Sequence, residues 1–302
     1  MRRGAWCALA ALVLAALQAC ATSESAKRTP TDVARLNLAR ELTQRGDWGR
    51  AFELLDDIHR QHPDDPDVLT LRGIVYRERG LFPDAEADLR AALRATPNSA
   101  EAHAALGILY DVEMSPAAEA EHREAVRLSP NNPAYLNNLG FSLFLRQHFS
   151  DAIKEYEKAA TLAPLSRRVR TNMGFAYAAL GDLPRAAREF TMGGTEAEAK
   201  NNLGFAYERR GDMSNAYDLY LQSVRIDPTA DRARSNLVHA AVVLGRPVPP
   251  EAAAPPKPAV DSAPTSTSIS TSTPDLPAAA PADPVPASPI FVPLTEKPEA
   301  TP

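Results

Sequence analysis

The sequence predicts an all-α repeat protein, and three observations carry that expectation. The string NNLGF recurs at Asn137 to Phe141 and Asn201 to Phe205, with a near copy, TNMGF, at Thr171 to Phe175. Landmarks around each Leu/Met-Gly pair return at an interval of about 34 residues, a period in the range of stacked supersecondary units. A proline then closes most intervals, at Pro63, Pro97, Pro130, Pro164 and Pro228. Within an interval an aromatic residue follows the glycine by three positions, as in Gly73 and Tyr76, Gly107 and Tyr110, Gly174 and Tyr177, Gly204 and Tyr207. That spacing is one helical turn, so both residues share a helix face.

This pattern resembles the tetratricopeptide repeat (TPR), whose unit of 34 residues folds as helix, turn, helix. The resemblance implies an α-solenoid of six helix-turn-helix units plus a C-terminal capping helix. Unit one (32–65) carries Leu38, Gly46-Asp47 and Ala51, and unit two (66–99) carries Gly73, Tyr76, Gly80 and Ala85. Unit three (100–132) is one residue short, with Met114-Ser115-Pro116 where other units have Gly-Asp. Unit four (133–166) returns to 34 with Gly140, Ala152 and Tyr156. Unit five (167–196) runs into Gly193-Gly194, and Gly174 to Gly204 is 30 residues, so its second helix is expected to lose about one turn. Unit six (197–230) is complete, and residues 231–245 read as an unpaired first helix acting as a cap.

Helices of about 13 residues are marginal alone in water. They must be held by neighbours, the logic of repeat stacks. Glycine at the shared position lets the second helix of a unit approach the first, and proline ends the second helix by lacking a donor and clashing with the preceding turn.

The ends of the chain differ from the repeats. Arg2 and Arg3 precede Ala5 to Leu17, an uncharged run that suits a secretory signal and is too short to span a bilayer. Leu17-Gln18-Ala19-Cys20 resembles the bacterial lipobox, which implies a lipoprotein signal peptide (1–19), lipidation of Cys20, and a tether from Cys20 to Thr31. Ordinary cleavage after Ala21 is the alternative. Ala21 beside Cys20 implies, by the same analogy, an outer-membrane lipoprotein facing the periplasm. Cys7 leaves with the signal and Cys20 carries lipid, so no thiol is left for a disulfide. Sixteen of the 27 prolines follow Gly245, and residues 246–302, rich in Pro, Ala, Ser and Thr, are expected to be a disordered tail. Pro289-Ile290-Phe291-Val292-Pro293-Leu294 is an apolar island in that tail, either a short binding motif or an incidental patch.

Composition and motifs weigh against several function classes. A net charge of −5 is a poor basis for nonspecific nucleic-acid binding. Phosphate loops, nucleophile elbows and paired metal histidines with a third ligand are lacking, so no enzyme and no cofactor are expected. His59 and His62 share a helical spacing that reads as solvated.

In the tetratricopeptide family the first helices line the concave face at repeat positions 2, 5, 6, 9, 12 and 13. Those positions gather a candidate peptide groove: Asn137, Asn138, Phe141 and Phe144 from unit four, Asn172 and Phe175 with Thr171 from unit five, Asn201, Asn202, Phe205 and Arg209 from unit six, and Asn236 from the cap. Asparagine amides can both donate to and accept from an extended backbone, and exposed phenylalanines would form side-chain pockets; the alternative is that each Asn bonds only its neighbours. The chaperone carboxylate clamp does not carry over, because position nine is Ile108, Phe141, Phe175 or Phe205 and position five is never Lys. Lipobox and tandem repeats together look like the TPR lipoproteins of tight-adherence (Flp) pilus assembly, the TadD-like proteins, and secretin pilotins. That resemblance implies a scaffold binding an envelope protein or peptide segment, such as a secretin or pilus component. An adaptor that recruits cell-wall hydrolases is the alternative.

Overall fold

The computed structural model describes residues 28–252. The expected signal peptide, Cys20, and the tail beyond Ala252 with its Ile290–Leu294 island lie outside the described residues. Among the described residues thirteen α-helices follow one another. They are α1 (Pro30–Arg45), α2 (Trp48–Gln61), α3 (Pro66–Glu78), α4 (Phe82–Ala95), α5 (Ala100–Val112), α6 (Ala118–Leu128), α7 (Pro133–Leu145), α8 (Phe149–Leu162), α9 (Arg167–Ala179), α10 (Leu183–Gly193), α11 (Glu196–Arg209), α12 (Met213–Ile226) and α13 (Asp231–Val243). A single 3-10 turn, Pro250–Ala252, ends the described chain. The all-α solenoid of six pairs and a cap is what the structure shows.

The helices fall into two compact units, one ending at Pro130 and one beginning at Asn131. The first holds α1 to α6. Its main core joins Leu36, Leu55, Ile58, Leu71, Val75, Leu89 and Leu109 from five successive helices, the shared burial expected when no helix pair is self-sufficient. The second holds α7 to α13, and its last helices close around Tyr220, Val224, Leu237 and Ala240. In each unit successive first helices touch, whereas among the described residues successive second helices do not. First helices therefore form the inner layer of each unit's curve.

The glycine row explains the pairing of helices. A Cβ built on Gly174 would stand 2.5 Å from the Phe190 ring, and one on Gly140 would stand 2.7 Å from Tyr156. Leu89, His122 and Tyr220 cover Gly73, Gly107 and Gly204 in the same way. The second helix thus sets a large side chain on the bare backbone of the first, and the shortened unit three brings His122 there one residue early. His122 is fully buried, and one ring nitrogen, Nε2, lies 2.8 Å from Asp111 Oδ2.

Turns between paired helices reverse through a left-handed residue. Glycine supplies it at Gly46, Gly80, Gly181 and Gly211, but Met114 (φ 55°) and Gln147 (φ 63°) adopt it in units three and four, a conformation that costs a non-glycine residue about 1–2 kcal/mol. Unit three's second helix, α6, is 11 residues long and starts only at Ala118, after the turn through Met114-Ser115-Pro116. The truncated second helix expected in unit five is α10, also 11 residues against 14 in α8 and α12.

Two expectations change. The tether was to run through Thr31, yet α1 starts at Pro30, capped by a reciprocal Thr29 and Asp32 box. Arg28 already pairs with Asp65 and Asp67, so these residues belong to the folded unit because their charges are met across α1 and α3. His62 is buried instead of solvated: it follows the end of α2, and its Nε2 lies 3.2 Å from Asp32 Oδ2. His59 is half-buried, and burial pushes its imidazole pKa down.

Candidate functional site

A concavity of about 490 Å³ opens on the second unit where α9, α11 and α13 begin, within the usual volume of ligand clefts. Phe175, Asn172 and Thr171 come to it from α9, Asn201, Asn202 and Glu198 from α11, and Arg232 from α13. Arg167 and Arg168 stand at the start of α9, and Asp227 and Asp231 on the approach to α13. The arrangement follows from the repeat: the same turn of three successive first helices faces inward, so residues about 30 to 35 apart meet.

Asparagines link these helices side by side. Asn172 Nδ2 donates to Asn137 Oδ1 at 3.0 Å, and Asn236 Nδ2 donates to Asn201 Oδ1 at 2.9 Å. Each rung joins position five of one unit to position six of the next. Between units five and six the corresponding residues are Thr171 and Asn202, and among the described residues no bond between them joins α9 to α11. Both are half-buried and both line the concavity. The groove therefore opens at the rung where threonine replaces asparagine, with a hydroxyl and a carboxamide in its lining, the Asn202 Oδ1 also accepting from Asn201 Nδ2 at 3.5 Å.

Electrostatically the walls balance, with Arg167, Arg168 and Arg232 against Glu198, Asp227 and Asp231. Arg167 pairs with Glu198, and Glu198 also caps α11 by accepting from the Thr195 backbone N–H at 2.7 Å. Burial works against the charge on Glu198, but that N–H and the Arg167 guanidinium overcome it and hold its carboxyl below the usual carboxylate range. Asp227 is likewise held low, by hydrogen bonds from Thr229.

Of the residues expected to form a groove, Asn172, Phe175, Asn201 and Asn202 meet in the concavity, while Asn137, Asn138, Phe141, Phe144, Phe205, Arg209 and Asn236 do not line it. The expectation of an exposed phenylalanine row is corrected. Phe141 and Phe175 are 6% and 7% exposed, and Phe205 is half-buried. Each follows the glycine by one residue, about 100° around the helix, which turns it into the junction with neighbouring helices. Phe175 packs edge-on against Phe190 at 4.8 Å and against Phe205 at 5.9 Å, so only its rim reaches the concavity. Asn137, Asn138, Asn172 and Asn201 are also buried. The ladder explains why: the carbonyls of Asn137 and Asn201 already accept from the next first helix, which limits what they can offer a bound backbone. Arg209 is exposed at the far end of α11.

Arg167, Arg168, Glu198, Asp227 and Asp231 were missed. Their signal was present: α9 alone among the first helices opens on two arginines, against the favourable sign for a helix N-terminus.

Among the described residues no helix is long and apolar enough to cross a membrane, and no group of three His, Cys, Asp or Glu is placed to hold a metal.

Three tetratricopeptide-repeat family profiles match, over residues 32–110, 133–166 and 197–229. A stretch of 105 residues is 35% identical to the type IV pilus assembly protein PilF of Pseudomonas aeruginosa, covering 34% of this chain and 42% of that protein. The chain thus spans less than half the length of this relative. A tetratricopeptide repeat protein from Parabacteroides merdae superposes with a TM-score of 0.53 at 16% identity, covering 74% of this chain and 89% of its own. A structure of the APC/C hetero-tetramer Cut9-Hcn1 gives 0.56 at 15% identity, covering 68% and 42%. Both likenesses are of fold. With the paired helices, the covered glycine row and three matching profiles, the chain is a tetratricopeptide-repeat protein, and over its matched stretch it resembles a type IV pilus assembly protein.

Proposed function

We propose that the chain is a scaffold of the cell envelope, held at the outer membrane by lipid on Cys20, that binds an extended segment of an envelope protein during pilus assembly. The observation that carries the reading is the concavity between α9, α11 and α13, where Thr171 and Asn202 take the place of a closing asparagine rung. An extended backbone has unpaired N–H and C=O groups on both edges, which a hydroxyl and a carboxamide can meet. The rim of Phe175 offers apolar contact for one side chain. Pilus assembly as the setting comes from the resemblance to PilF, and a secretin subunit or pilus component is the partner of that class.

Substitution at the phenylalanines would test packing instead of binding, since Phe141 and Phe175 are buried. Asn202, half-buried, and Arg232, exposed, are better probes. The Asn202→Ala, Arg232→Ala double variant is expected to keep wild-type helicity and to lose capture of purified secretin and pilus subunits from the same cell. Undiminished capture by the variant rejects the groove.

A further inference from the structure

The described chain ends at Ala252, whose 3-10 turn packs against α12 and α13, the helices that close the second unit. Beyond it the sequence runs for 50 residues with a single aromatic residue, Phe291, inside the run Ile290-Phe291-Val292-Pro293-Leu294. We propose that this segment of the chain's own tail is an occupant of the groove between α9, α11 and α13, competing there with the envelope partner. The inference rests on the groove reading given above and adds a regulator to it.

Length permits it. Residues 253–289 are a Pro-rich connection of 37 residues, and a chain of that length has a root-mean-square span of about 33 Å even at coil dimensions. Packed helices lie about 8–10 Å apart, so α13, α11 and α9 are within two such steps of the exit point. Charge permits it as well. The lining arginines and carboxylates are equal in number, and the island from Pro289 to Leu294 is uncharged, so an apolar segment brings no unbalanced charge to the site. Pro289 and Pro293 bracket the island. Each fixes its own φ and biases the residue before it to extended backbone, the shape that a hydroxyl and a carboxamide at Thr171 and Asn202 can meet, and less ordering is then needed on docking. Phe291 supplies an apolar side chain at the wall to which Phe175 contributes.

A short connection of this kind gives an effective concentration in the millimolar range. A segment binding its groove with a dissociation constant near 0.1 mM would then occupy most of it and weaken any competitor about tenfold.

The test uses the full chain and a fluorescein-labelled peptide of residues 287–296. Titrated by fluorescence anisotropy, the peptide is expected to bind the Ile290→Ser, Phe291→Ser chain about tenfold more tightly than the wild-type chain, whose groove is filled in cis. Adding Asn202→Ala and Arg232→Ala to that tail variant is expected to abolish binding. Equal affinity of the peptide for wild-type and tail-variant chains overturns occupancy in cis. Failure to bind either chain overturns the segment as a ligand, and self-association of the wild-type chain at the titration concentration, seen by sedimentation velocity and lost in the Ile290→Ser, Phe291→Ser chain, overturns occupancy in cis in favour of the tail of a second copy. The groove reading is judged separately, by whether the Asn202→Ala, Arg232→Ala chain with a native tail loses capture of the pilus subunits, so either proposal can fail alone.

Discussion

Gly174 shows how much of the stack rests on one missing methyl group. The Phe190 ring lies where its Cβ would be, and Phe190 is itself 1% exposed among packed neighbours with no room to retreat. Gly174→Ala is therefore expected to destabilise the second unit by about 1–3 kcal/mol through overpacking, outweighing the gain of under 1 kcal/mol that alanine normally brings to a helix interior. Urea unfolding of the full chain checks the sign. The role of this glycine was legible in the sequence, because its recurrence before an aromatic residue has only a close helix approach as a common cause. The burial of Phe175 was not, because it depends on Phe190, 15 residues further on, and on Phe205 in the next unit.

At the scale of helices, buried charges join α3 to α4. Arg72 and Asp88 are each 8% exposed and meet through two parallel bonds, Nε to Oδ2 at 2.6 Å and Nη2 to Oδ1 at 2.9 Å. Desolvation opposes the Arg72 charge, and Asp88 overcomes it, holding the guanidinium pKa above its ordinary value. Asp88→Ala would leave that buried charge only the longer contact to Asp56 at 3.9 Å and is expected to cost about 3 kcal/mol, whereas Arg72→Met with Asp88→Leu is expected to recover most of the loss. Chemical denaturation of the three chains gives the comparison. The entry to α1 adds a dependence on acid. Asp32 is held below the usual carboxylate range by Thr29 and His62; burial of Asp65 works against its charge, yet Arg28 keeps it low as well. Lowered folded pKa values mean that the stabilisation is complete above the unfolded carboxylate pKa of about 3.9 and is lost as pH falls through the folded values. Thermal melts of the first unit's helices should therefore hold steady down to about pH 5 and fall below pH 4, with Arg28→Ala flattening the fall. None of these pairings was legible in the sequence, since Arg28 and Asp65, or His62 and Asp32, are brought together only by stacking. The helix boundaries mostly were, because a proline or a capping residue stands at the start of most helices.

Within each unit, a repeat of about 34 residues sets successive first helices against one another, and it misjudged which of their residues line the concavity. Position within the unit identified Asn172, Phe175, Asn201 and Asn202, all of which meet in the concavity. It also implied seven residues that do not: Asn137, Asn138, Phe141 and Phe144 stand on α7, which the concavity does not reach, Phe205 and Arg209 lie further along α11, and Asn236 is taken up by its rung to Asn201. The charged wall was missed for two reasons: Arg167 and Asp231 stand at the first position of their helices, which the family resemblance does not select, and Arg168 and Glu198 occupy position two, which it does select, but were passed over for the asparagines and phenylalanines. Unit five is where these departures gather. Its second helix is short, its first helix opens on two arginines, and its fifth position is threonine.

Binding at the inner face of α9, α11 and α13, as proposed, is tested in living cells by a photo-crosslinking amino acid placed in the full chain. At position 202 it is expected to trap a specific envelope protein, and at position 158, exposed on the second helix α8, it is expected to trap none. Cross-links from position 158 with none from position 202 would mean that partners dock on the second helices and not in the groove.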